Sequence, residues 1–89
     1  MQRRTVYYSG NVQGVGFRYT VKNLSIQYDI NGYVRNLPDG RVEVVMEGPA
    51  CEIEKLASDV QRKMQPFIRQ VHTADMPATG EFDVFTIRH

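Results

Sequence analysis

The segment Gly10-Asn11-Val12-Gln13-Gly14-Val15-Gly16-Phe17-Arg18 sets three glycines and an arginine between a strand-like stretch and a helix-like one. Residues of these types in this order suit an anion. Glycines let the backbone turn with successive N–H groups pointing inward, and N–H groups at a helix start form a pocket of partial positive charge. Arg18 at the rim adds a full charge and a planar fork that fits phosphate oxygens. The plainer reading is a strand-to-helix turn that needs glycine only for its positive φ angles. Arg18 beside the amides shifts the balance toward an anion. The segment is not a Walker A loop, because no Gly-Lys-Ser/Thr follows it. It is not a dinucleotide fingerprint either, because Tyr19 stands where the third glycine belongs.

Asn36 stands before Leu37-Pro38-Asp39-Gly40, a turn signal in which asparagine is common, and taken alone it is a turn residue. Arg35 and Arg41 flank it and read as solvated strand arginines, with Arg35 alternating to the other face from Asn36. His72 and His89 have no metal-ligand partner at useful spacing and read as structural or exposed. Cys51, the only cysteine, excludes an intrachain disulfide and reads as inert. Glu43 and Glu47 read as a solvated strand face rather than an acid/base dyad, and Phe17, Tyr28, Phe67 and Phe85 as core.

The elements that must position these residues follow from periodicity. Residues 4–10 are rich in β-branched and aromatic types and predict a strand closed by Gly10. Phe17, Val21, Leu24 and Tyr28 recur at helical spacing, which predicts a helix over about residues 18–29. Tyr33–Asn36 and Arg41–Glu47 predict a hairpin about the Leu37–Gly40 turn, with Val42, Val44 and Met46 on one face. Pro49 opens a second helix with the stripe Ile53, Leu56, Ala57, Val60 and Met64, ended by Pro66. Phe67–Ala74 and Phe82–Ile87 predict two further strands, with a loop at Met76–Gly80 between them. The order is β-α-β-β-α-β with a short extra C-terminal strand. Its economical packing is a ferredoxin-like α+β sandwich, a mainly antiparallel sheet with two helices on one face.

The loop resembles the first signature of the acylphosphatase family, Gly10-x-Val12-Gln13-Gly14-Val15-x-Phe17-Arg18. Gly32-Tyr33-Val34-Arg35-Asn36, followed by Gly40-x-Val42 and Gly48, resembles the second, and Phe85-x-Ile87 resembles the family's C-terminal ending. The resemblance spans essentially the whole chain. It implies a ferredoxin-like enzyme that hydrolyses the carboxyl–phosphate bond of acyl phosphates without metal or cofactor. It implies that Arg18 binds the phosphoryl group and Asn36 orients the attacking water. The loop amides of Gln13, Gly14, Val15, Gly16, Phe17 and Arg18 would hold the phosphoryl oxygens. Tyr8, Asn11 and Tyr33 depart from the residues usual in the family, and Asn11 stands where a basic residue is frequent.

Composition bounds the alternatives. At 89 residues, with 42% apolar and 24% charged residues, the chain is expected to form one soluble domain, residues 1–89. A net charge of +1 gives no strong field toward nucleic acid or a membrane surface, so anion recognition must be local. No segment has the apolar length to span a bilayer, and no signal segment is evident. A cytoplasmic monomer acting on a small-molecule acyl phosphate, inhibited by inorganic phosphate or sulfate, is the expectation. An RNA-binding module on the same plan needs aromatics on its third strand and a basic surface. Arg41–Glu47 has no aromatic and two glutamates. A phosphate-binding regulatory domain without turnover is the third reading, and the presence of both Arg18 and Asn36 speaks against it.

Overall fold

The computed structural model describes residues 1–89. Five strands, β1 (Gln2–Gly10), β2 (Asn31–Asn36), β3 (Val42–Gly48), β4 (Ile68–Pro77) and β5 (Phe85–Arg88), form one sheet in the order β4-β1-β3-β2-β5. All neighbours are antiparallel except β5, which runs parallel to β2. Helices α1 (Phe17–Ser25) and α2 (Ala50–Met64) pack against one another, α1 also on β2 and β5 and α2 on β3. The core lies between the layers. Val6, Tyr8, Val34, Val42, Val44 and Met46 face Phe17, Val21, Ile53, Leu56, Val60 and Met64 across it. This is the ferredoxin-like sandwich that the alternation on β3 and the two helical stripes require.

Several boundaries differ from the periodicity, among them the start of β5, at Phe85 rather than Phe82. Helix α1 ends at Ser25, whose hydroxyl donates to the Lys22 carbonyl at 2.6 Å. Gln27 and Tyr28 then close tighter turns onto Leu24 and Ser25, so Tyr28 continues the apolar spacing outside the helix. Tyr28 and Phe67 are only partly buried, at the margin of the core that Phe17 and Phe85 occupy. Strand β4 runs on through Met76 and Pro77, because β1 extends back to Gln2 and pairs with it there.

Glu43 and Glu47 are not a solvated face. Each is about 6% exposed. The Tyr33 hydroxyl (2.8 Å) and Arg35 Nε (2.7 Å) both donate to Glu43 Oε1. Burial pushes this carboxyl up, but those donors outweigh it and hold it below the usual carboxylate range. Glu47 accepts from the Thr79 amide and hydroxyl (both 2.9 Å) and from the Gly80 amide (3.0 Å). Burial again opposes, and the Thr79 and Gly80 donors hold the group low. Alternation placed both glutamates on the face away from the helices, where neighbours across the hairpin cover Glu43 and residues distant in sequence cover Glu47.

The sign of the pH effect follows. A carboxyl held lower in the fold than in the unfolded chain stabilises the fold above about pH 4.3, its unfolded value, and loses this as pH falls further. Glu47→Gln is therefore expected to flatten the acid limb of the melting-temperature profile below that pH. Wild-type and variant profiles of equal acid slope would refute this.

Candidate active site

The glycine loop leaves β1 at Gly10, where a side chain would meet the Phe67 carbonyl at 2.5 Å. That glycine is demanded by the close approach of β4. Gly14 and Gly16 differ. Both lie in the left-handed region, with φ of 79° and 78°, yet a Cβ on either would meet nothing within 4 Å. Their backbone turns over open space. Val12 and Phe17 are buried and Val15 packs onto the core, so the apolar residues pin the loop from below while the glycines stay on top.

The loop amides point nowhere within the protein. Gly16 caps α1 and its carbonyl accepts from Thr20 (3.0 Å), but no backbone N–H from Gln13 to Arg18 donates to a protein acceptor. A helix start leaves its first amides free. Here the preceding loop adds its own to them. Arg18, on the first turn of α1, is half-buried and pairs with no carboxylate, so its charge is uncompensated; its Nη1 lies 3.1 Å from His89 Nδ1.

Asn36 ends β2 opposite Val42, half-buried, its carboxamide bonded to no protein group. Arg35 turns to the other face and pairs with Glu43 at 2.7 Å. A cleft of about 210 Å³ brings Gly14, Gly16, Phe17, Arg18 and Tyr19 together with Asn36. Gln13 and Val15 do not line it.

Gln13 does something its backbone amide did not foretell. Its side-chain Nε2 donates to the carbonyls of Leu37 (2.9 Å) and Arg41 (3.0 Å), the two ends of the β2–β3 turn. The loop is thereby fastened to the turn beside Asn36. Gln13→Ala is expected to destabilise the fold by about 1–2 kcal/mol and to raise KM more than it lowers kcat. Denaturant unfolding and steady-state kinetics check both; an unaffected KM would show that the tether does not shape the cleft.

A larger cleft of about 340 Å³ lies toward the other end of β3, beside Gly48 and Gly80. It is lined by the acidic Asp29 and Glu47, and the Glu47 oxygens are already taken up by Thr79 and Gly80. No three His, Cys, Asp or Glu side chains come together as metal ligands, and no helix is long and apolar enough to cross a membrane.

Comparison with known proteins places the chain. The family model described as Acylphosphatase matches residues 4–87. An acylphosphatase of Methanospirillum hungatei is 41% identical over 90 aligned residues, which cover 99% of this chain and 98% of that one. One of Syntrophus aciditrophicus is 40% identical over 88, covering 98% and 92%. The crystal structure of acylphosphatase from Bacillus subtilis superposes with a TM-score of 0.89 at 26% identity over the whole of both chains. That of HypF from T. kodakarensis gives 0.84 at 31% identity, with this chain covering 12% of it. With matches that run the length of the sheet, the loop and the second motif, the protein belongs to the acylphosphatase family.

Proposed function

We propose that the protein hydrolyses acyl phosphates to a carboxylate and inorganic phosphate in the cleft between the glycine loop and Asn36. The observation that carries this reading is the set of unpartnered amides from Gln13 to Arg18 facing one uncompensated guanidinium. Such donors hold the three equatorial oxygens of a phosphoryl group and strengthen as charge gathers there. The Asn36 carboxamide, free of protein partners, orients a water in line with the bond to be broken. That water's oxygen bonds to phosphorus as the bond from phosphorus to the acyl oxygen breaks, and its proton passes to phosphate or solvent. The leaving group is a carboxylate that is stable unprotonated, so no general acid is needed. Charge stabilisation comes from the amides and Arg18, and turnover is independent of metal and cofactor. The same reading has the chain acting as a monomer in the cytoplasm, on its size, near-neutral charge and single cysteine.

The test is hydrolysis of benzoyl phosphate in the presence of EDTA, with inorganic phosphate or sulfate as a competitor. Turnover is expected to survive the chelator, and either anion to raise KM without changing kcat. Absence of hydrolysis, or anions that compete nowhere, would set the reading aside in favour of an anion-free turn.

A further inference from the structure

Tyr19 is the odd one among the aromatic residues. The chain has five tyrosines and four phenylalanines, and Tyr19 alone among them is exposed, at 61%. Tyr8, Phe17 and Phe85 are in the core, with Tyr28 and Phe67 at its margin. Tyr7 pairs with His72 and Arg41, and Tyr33 with Phe82 and Arg88. No ring or guanidinium of the protein lies against Tyr19.

The packing of α1 does not ask for an aromatic there. Phe17 and Val21 are buried and form the core face of the helix. Tyr19, two residues after Phe17, lies about 200° round the helix from it, where a polar residue would serve the fold as well. Yet Tyr19 lines the cleft together with Gly14, Gly16, Arg18 and Asn36. The other apolar side chains of the lining, Val12 and Phe17, are buried. Tyr19 therefore gives the cleft its one exposed apolar surface.

Under the proposed function the other lining groups are engaged. The amides and Arg18 hold the phosphoryl oxygens, and Asn36 holds the water. In-line displacement sets the attacking water and the departing acyl oxygen on opposite sides of phosphorus. The acyl group then points away from Asn36 and out of the loop, and Tyr19 is the lining side chain that remains to meet it.

We propose that Tyr19 is a specificity-determining residue for the acyl end of the substrate: its ring is the platform on which a flat aryl group lies. The inference rests on the reading of the cleft as an acyl phosphate site. The substrates favoured are acyl phosphates of aromatic carboxylic acids over those of small acids such as acetic acid. Offset stacking suits two rings, and the apolar area they cover adds to it. The platform has one side, so the other face of the acyl group stays in water and the preference is modest.

Phenacylphosphonate and acetonylphosphonate are suitable probes. They are benzoyl and acetyl phosphate with a methylene in place of the oxygen whose bond to phosphorus breaks, so they bind without turning over. Their binding is measured by calorimetry for the wild type, Tyr19→Phe and Tyr19→Ala, with circular dichroism to check each fold. The wild type is expected to hold the phenacyl compound roughly five-fold more tightly than the acetonyl compound. Tyr19→Phe should keep that ratio, and Tyr19→Ala should bring it near one. The benzoyl-to-acetyl ratio of kcat/KM should fall by the same factor in Tyr19→Ala, carried by KM. The ratio is the readout because damage to the loop would weaken both compounds alike. An equal ratio in all three proteins overturns the proposal. So does Tyr19→Phe behaving as Tyr19→Ala does, which would make the hydroxyl the recognising group. The expected binding ratios with no hydrolysis of either acyl phosphate would refute the enzymatic reading alone. Hydrolysis with ratios indifferent to Tyr19 would refute this inference alone. If neither phosphonate binds and neither acyl phosphate is hydrolysed, both fall.

Discussion

Arg18→Ala is expected to lower kcat/KM for benzoyl phosphate by at least two to three orders of magnitude, about 3–4 kcal/mol of transition-state stabilisation. The side chain supplies the one full positive charge of the cleft, and nothing nearby replaces it. Lys22 is committed to the Phe85 carbonyl and Arg35 to Glu43 on the opposite face. The fold should barely notice. Arg18 is half-buried, its single protein hydrogen bond goes to an exposed residue, and its removal opens no core cavity. Arg18→Lys restores a charge without the planar fork, so only part of the loss should return. Circular dichroism and thermal melting confirm the fold, and initial rates give the effect. A folded alanine variant with wild-type turnover would refute the proposed mechanism.

Asn36→Ala is the complementary experiment, with a different kinetic signature. In the proposed mechanism its carboxamide contacts the water rather than the phosphoryl group, so its loss should fall on kcat, by about two orders of magnitude, and leave KM nearly unchanged. Under the same mechanism Arg18 touches the substrate in both ground and transition states, and its loss should move both constants. Asn36→Asp sharpens the distinction. It is nearly isosteric, but it brings a carboxylate to the cleft that an anionic substrate must enter, so KM should rise as well. Were Asn36→Ala to raise KM and spare kcat, Asn36 would be a binding residue and the water would need another guide.

The local elements were legible because their signals are local. Gly10 closing β1, the alternation of Val42, Val44 and Met46, Pro49 before α2 and Pro66 after it all act within a few residues. Arg18 and Asn36, on different elements, lie in one cleft, and only the resemblance linked them beforehand. What stayed hidden is long-range. Nothing around Glu47 tells that Thr79 and Gly80 will close over it, whereas Arg35 faces Glu43 across the hairpin itself. Tyr28 keeps the helical period by coincidence, since the Ser25 hydroxyl and two tighter turns end α1 before it. Gln13 was expected to offer its backbone, and its side chain's two bonds cross 24 and 28 residues. His89 was read as isolated because its partner is at the other end of the chain. The parallel pairing of β5 with β2 is a matter of topology, which periodicity does not carry.

The Gln13 bridge has a thermodynamic consequence. By joining one carboxamide to both ends of the β2–β3 turn, it ties the glycine loop to the strand end that carries Asn36 before any ligand arrives. The ordering entropy of the cleft is then paid during folding, once, rather than at every turnover. Under the proposed function, binding then needs little loop closure. The same economy removes a means of control: a cleft that is always formed cannot be regulated by opening and shutting.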